Sequence, residues 1–265
     1  MLLRRSAPVP SLDGLVVSIT PESAGWTHVG FEVYRLNRQQ AITPNTNDRE
    51  LCVVILSGQV DVTCDGNRWG ALGSRSNPFE GAPDAVYAPP KSDIKLTSAS
   101  IMCEIALCWA EAKRGVEPQL LRAQDVRTSR RGSDRTERMI RDILMEDRSA
   151  ESLLVTEVTT RGGNWSSYPP HKHDTDDPPR ETYLEETYYH RTKHPEGFGF
   201  QQVYTEDRAL DTTLCVRDGD VVLVPRGYHP VAAAPGYDLY YLNVMAGPRR
   251  RWLVTTDPRH RWQLD

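Results

Sequence analysis

The stretch GDVVLVPRGYH, residues 219–229, reads as a short apolar strand opened by Asp220 and ended by Pro225, followed by an Arg226-Gly227 turn and His229. A proline is expected at a strand end, because it removes one donor from the hydrogen-bond ladder. Residues 84–93, DAVYAPPKSD, can be laid on residues 220–229, DVVLVPRGYH, without a gap: an acidic residue again opens an apolar strand, and Pro89 ends it. The last position holds Asp93 in the first copy and His229 in the second. Short β-rich runs separated by turn residues surround each copy. GFEVYRL from Gly30, LCVVIL from Leu51, QVDVTCDG from Gln59 and IMCEIALCWA from Ile101 belong to the first half. LLVTEV from Leu153, ETYYHR from Glu186, FGFQQVYT from Phe198 and DLYYLNVM from Asp238 belong to the second. Strands at this spacing predict an all-β chain of sandwiches or barrels, and the repeat favours two similar domains over one.

The middle of the chain differs. From about Glu111 to Ala150 it is highly charged, and SDRTERMIRDIL places Met139, Ile140, Ile143 and Leu144 on one helical face, so this stretch is expected to be a connector carrying one helix. The expected division is a first domain over 1–110, a connector over 111–150 and a second domain over 151–265.

Composition narrows the function classes. Of 265 residues, 38% are hydrophobic and 26% charged, and the net charge is −4, the balance of an ordinary soluble protein. Basic residues are scattered, and the clusters Arg130-Arg131 and Arg249-Arg250-Arg251 are too short to track phosphates, so no nucleic-acid partner is expected. The amino terminus, MLLRRSAPVPSLDG, lacks the apolar core of a secretory signal, and no run is long enough to span a bilayer. A cytoplasmic location with no membrane partner is the expectation. The five cysteines form no C-x-x-C pair and mostly sit in apolar strand-like runs, where they read as small buried hydrophobes.

The chemistry concentrates at NWSSYPPHKHD, from Asn164. On a strand, His171 and His173 point to one face and Lys172 to the other. After the loop DTDDPPRETY the chain re-enters a strand at LEETYYHR, where Glu186, Tyr188 and His190 share a face, with Glu185 equally eligible as the carboxylate. His229 is the fourth candidate. Taken singly, each has an ordinary reading: H-x-H as surface strand histidines, Glu186 as a solvated strand residue, His229 as a turn histidine. Together, three imidazoles and one carboxylate form an N/O set suited to a divalent transition metal such as zinc, manganese, iron, nickel or cobalt, zinc and manganese leading, with positions left for substrate or water.

That order of H-x-H, glutamate and a later proline-glycine turn leading to a histidine resembles the two metal motifs of the cupins, which are double-sheet jelly rolls. More specifically, NWSSYPPHKHD, LEETYYHR, DGDVVLVPRGYHPV and PGYDLYYLNVMAG are similar to the 5-deoxy-glucuronate isomerase family of myo-inositol catabolism. The similarity extends to DREL near Asp48, LSGQVDV near Leu56 and FEGAPDAVYAPP near Phe79. It implies a bicupin, two jelly-roll barrels in one chain, with a metal site in the second domain and a degenerate first domain. The absence of histidine between His28 and His171 agrees with that.

The resemblance implies an aldose-ketose isomerase that interconverts 5-deoxy-D-glucuronate and 5-dehydro-2-deoxy-D-gluconate, with the metal stabilising an enediolate. Tyr188, on the face of Glu186, is the choice for moving the proton. Arg226, beside His229 in sequence, is the choice for the substrate carboxylate, with Gln201 and Tyr240 as further polar residues lining the barrel. The expected partner is a small sugar acid, and the resemblance is compatible with a homo-oligomer. The rivals are another uronate isomerase, a cupin dioxygenase and a non-catalytic sugar-binding bicupin.

Overall fold

A computed structural model describes residues 1–264. It divides into two compact units, one made of residues 6–127 and 142–155, the other of residues 1–5, 128–141 and, among the described residues, 156–264.

In the first unit a six-stranded sheet runs in the order Gln119–Leu121, Ala85–Ala88, Arg49–Ser57, Met102–Glu111, Val29–Asn37 and Leu15–Ile19. A four-stranded sheet, Ala41–Ile42, Ile94–Ser98, Val60–Cys64 and Asn67–Leu72, completes it. Alternate side chains of these strands, among them Val53, Ile55, Val62, Leu96 and Leu107, form an apolar core. Such a side chain contributes about 1.5–3 kcal/mol when buried. Asp93, the counterpart of His229, is exposed, and its backbone N–H donates to Asp65 Oδ1 at 2.8 Å.

Glu50 is the charged group on which this unit relies. Its carboxylate is fully buried and accepts from Tyr87 Oη at 2.7 Å and from the backbone N–H groups of Glu151, Ser152 and Leu153 at 2.9, 2.7 and 2.5 Å. It ties the returning segment 142–155 to the strand Arg49–Ser57.

The second unit repeats the plan. Its seven-stranded sheet has the order Leu3–Arg4, Val221–Val224, Glu185–Thr192, Leu239–Ala246, Leu154–Thr160, Arg138–Leu144 and Arg127–Arg131. A four-stranded sheet of Trp165–Ser166, Val231–Ala233, Phe198–Tyr204 and Asp211–Arg217 accompanies it, and His171–Lys172 pairs separately with Thr255–Thr256. The chain's first residues pair at the sheet edge, Leu3 opposite Val222, and Arg5 forms an ion pair with Asp220.

The helix expected near 139–144 is a strand, Arg138–Leu144. The alternation explains the difference. Ile140 faces the barrel core, whereas Arg141 faces the opposite side and pairs with Glu157 Oε1 at 3.0 Å, so the period is two rather than 3.6. Its two isoleucines are β-branched and suit a strand. Among the described residues, the α-helical segment is one turn, Pro21–Ala24, capped by Thr20, and the rest of the helix is short 3-10 turns.

Replacing Glu50 with alanine removes the acceptor of three backbone N–H groups, that of Leu153 buried, and of a buried tyrosine hydroxyl. The expected result is a fall of roughly 5 to 10 °C in the melting transition of the first unit, read by scanning calorimetry. A change within the error of the scan would remove Glu50 from this role.

Candidate metal centre

The site lies wholly in the second unit. Register across the large sheet places Glu186 beside Val224 and Met245, Tyr188 beside Val222 and Asn243, and His190 beside Tyr241. Tyr188, Val222, Val224 and Tyr241 all belong to one core cluster, so this is the inward face. Glu185 therefore points away, where Tyr183 Oη lies 3.4 Å from its Oε1, and Glu186 is the carboxylate that enters the barrel.

The long loop after H-x-H is closed at its base. Glu181 Oε1 accepts the N–H groups of Asp174 and Thr175 at 2.7 and 2.9 Å and the Lys172 ammonium at 3.0 Å. Lys172, pointing away from the histidines, thus anchors the loop. Leu184 N donates to His173 O at 2.9 Å, and His173 Nδ1 lies 2.9 Å from Leu184 O. The insertion returns the chain to its starting point, two residues before Glu186.

His229 is delivered by the turn before it. Gly227 has φ +92°, and a Cβ there would stand 2.5 Å from Tyr204 O, so both conformation and space require glycine. Asp174 Oδ2 accepts the Gly227 N–H at 2.9 Å, which fastens this turn to the H-x-H segment. His229 Nδ1 lies 2.8 Å from Gly227 O. A backbone carbonyl accepts only from N–H, so Nδ1 carries the proton in both His173 and His229, and both Nε2 atoms present lone pairs.

Those nitrogens meet one oxygen. Glu186 Oε2 is 3.1 Å from His173 Nε2 and 3.3 Å from His229 Nε2, and one donor atom from each of the three residues falls within 4.8 Å of the others. All three side chains are buried. His229 Nε2 has no hydrogen-bond partner. A buried, unpartnered lone pair beside a carboxylate is costly unless a cation sits there, so the residues fit a divalent metal. His171 stands next to this cluster, its ring centroid 4.9 Å from that of His229 and 6.4 Å from that of His173.

The surroundings keep two of the three rings, His171 and His229, neutral. Burial pulls the pKa of His171 and of His229 down to about 3, with neighbouring histidines adding to the effect. His173 is also buried, but its contact with Glu186 outweighs burial and raises its pKa.

Around the cluster, Tyr188 Oη is 3.0 Å from Ser167 Oγ, and burial, reinforced by Glu186 and Tyr241, holds its pKa well above the ordinary phenol value. His190 Nε2 is 2.9 Å from Gln201 Oε1, so Gln201 is inside the barrel, with His190 Nδ1 and Gln201 Nε2 unpartnered. Tyr240 faces the other side of the sheet and donates to Glu157 Oε2 at 2.8 Å. The inward tyrosine of that strand is Tyr241, as the period of two requires. Arg226 is exposed, and its charge is felt by Asp207. Tyr240 was expected to line the barrel and Arg226 to meet the substrate carboxylate; alternation turns Tyr240 to the face opposite Tyr241, and Arg226 lies exposed in its turn. Ser167 and Tyr241 were missed. The alternation of DLYYLNVM could have revealed Tyr241, but no local signal marks Ser167.

The sequence pattern of the KduI/IolB family matches residues 2–263. The chain is 48% identical over 260 residues to a 5-deoxy-glucuronate isomerase of Geobacillus thermodenitrificans, covering 98% of this chain and 95% of the relative. It superimposes on the crystal structure of an IolB-like protein from Salmonella typhimurium with a TM-score of 0.97 at 42% identity, covering the whole of both chains. An oxalate decarboxylase of Lactobacillus farciminis gives a TM-score of 0.69 over 97% of this chain and 88% of its own, at 11% identity. The last likeness bears on fold alone, and the fold is that of a bicupin.

Zinc added to the metal-free protein is expected to bind at one equivalent per chain. His229→Ala and Glu186→Gln should each weaken it by more than the roughly 10- to 100-fold that outer partners of a ligand are worth. Competition against a chromogenic chelator reads the affinity, and unchanged zinc binding by His229→Ala would contradict the assignment.

Proposed function

Because the chain belongs to the KduI/IolB family, we propose that it is an isomerase that converts 5-deoxy-D-glucuronate to 5-dehydro-2-deoxy-D-gluconate. The carrying observation is the meeting of His173, Glu186 and His229 around one buried point, in a chain nearly half identical to a relative that bears that activity. His171, His173, Glu186 and His229 would hold a divalent transition metal, zinc or manganese suiting this donor set. When bound, such an ion supplies Lewis-acid polarisation of the aldehyde and its neighbouring hydroxyl and offsets the negative charge of the enediolate.

The reaction takes a hydrogen from the hydroxyl-bearing carbon and returns one to the aldehyde carbon. Tyr188 is the group of this chain placed to take part. Its raised pKa keeps it a phenol at neutral pH, so it suits donation to a developing oxyanion better than abstraction from carbon. Ser167 holds that hydroxyl in place. Gln201 offers a buried amide nitrogen with no partner in the same interior, a donor for a substrate hydroxyl. Burial of His173, Glu186, Tyr188 and His229 limits water around the reacting atoms. The substrate is a small sugar acid, and the degenerate first barrel binds no transition metal, its interior being apolar.

Protein loaded with zinc or manganese should convert 5-deoxy-glucuronate without consuming oxygen, lose the activity on chelation and regain it when the ion returns. Tyr188→Phe should lower kcat by about 10²-fold or more while metal content stays at one equivalent. Full turnover after removal of the metal would overturn the reading.

A further inference from the structure

We propose that Arg138, backed by Arg131, receives the carboxylate of the sugar acid and so sets the preference for an acid over a neutral sugar. The proposal rests on the isomerase reading of the same site. Arg138 lies two residues before Ile140 on one strand, and Ile140 packs in the core with Tyr188 and Tyr241. Side chains two apart share a face, so Arg138 points the same way as Ile140, one rung further along. Arg131 comes from the strand paired at the sheet edge, and its guanidinium carbon stands 5.7 Å from the ring of Trp252, whose centroid is 6.1 Å from that of His171. The turn carrying these arginines is fixed to the barrel wall by Asn164, whose Nδ2 donates to Asp134 O at 3.2 Å and Glu137 O at 3.0 Å.

Arg138 lacks the carboxylate that three other half-buried cations of the unit have. Arg141 pairs with Glu157, Lys172 with Asp174 and Glu181, and Arg191 with Asp218. Among the described residues no carboxylate pairs with Arg138, and the hydrogen bond of its Nη1 goes to a backbone carbonyl, Thr136 O, at 3.0 Å. The charges and hydroxyls it feels are Tyr241, Arg131 and Tyr188, and its own charge reaches His171. None of these is an anion at neutral pH. A half-buried guanidinium with a second cation beside it and four donors unspent is out of balance until an anion arrives. The anion of this substrate is its carboxylate, which sits at the far end of a six-carbon chain from the aldehyde. A guanidinium fork can hold both carboxylate oxygens, which a lysine cannot.

The test compares 5-deoxy-glucuronate with its neutral counterpart 5-deoxy-glucose on wild type, Arg138→Gln and Arg138→Lys, all metal-loaded. The wild type should prefer the acid, and Arg138→Gln should lose about 10- to 100-fold of that preference in kcat/KM, mostly through KM for the acid. Arg138→Lys should keep part of it. An unchanged preference in Arg138→Gln, or an equal loss on both substrates, would overturn the proposal. If wild type turns over neither sugar, the isomerase reading fails by itself, and binding then decides the arginine. The borohydride-reduced acid, which keeps its carboxylate and cannot isomerise, should bind wild type about 10-fold or more tighter than the matching neutral alditol in calorimetry. Arg138→Gln should erase that difference, and equal binding of the two by wild type would overturn the proposal.

Discussion

Leu184 O and Gly227 O, two backbone carbonyls, each lie within hydrogen-bond distance of an imidazole Nδ1, and the chemistry of the second barrel depends on that pair. Each contact fixes a tautomer and a ring orientation, so that a lone pair on Nε2 faces Glu186. Neither carbonyl would be in place without closure of the loop after His173. Glu181 draws its start together, and Asp174 reaches across to the turn at Gly227. A carboxylate next to one histidine, Asp174, and a glycine two residues before the other, Gly227, therefore hold the two imidazoles in register.

The two units use the same strand plan for different ends. In the first, the core cluster is mostly Val, Leu and Ile. In the second, the inward face of Glu185–Thr192 carries Glu186, Tyr188 and His190, and the facing strand adds Tyr241 and Asn243. Polar groups at these positions cost stability unless paired, and several are not: His229 Nε2, His190 Nδ1 and Gln201 Nε2. Unspent hydrogen-bonding capacity gathered inside one barrel is what a ligand-binding interior looks like, and the repeat at residues 84–93 and 220–229 shows where the two designs part. One copy ends in an exposed Asp93, the other in a buried His229.

The all-β architecture was legible because apolar runs, turn residues and strand-ending prolines recur at short intervals. The inward side of H-x-H and the shared face of Glu186, Tyr188 and His190 were legible because a strand alternates. The same rule, applied to DLYYLNVM, would have chosen Tyr241 over Tyr240. The segment Arg138–Leu144 misled because Met139, Ile140, Ile143 and Leu144 satisfy a helical period as readily as a buried strand does, and sheet partners distant in sequence decide between the two. Arg138 was hidden by the same error: its approach to the barrel interior follows from strand pairing, while Arg226, nearer to His229 in sequence, turns out to solvent. Long-range pairing is the information a single sequence does not carry.

The most direct test of the account is anomalous diffraction at the zinc edge from crystals of the zinc-loaded protein. The account predicts one peak per chain, roughly 2.0–2.2 Å from the Nε2 atoms of His173 and His229 and from a Glu186 oxygen, with His171 Nε2 turned to the same ion. A peak held by other residues, or a second peak of equal occupancy in the first barrel, would contradict it.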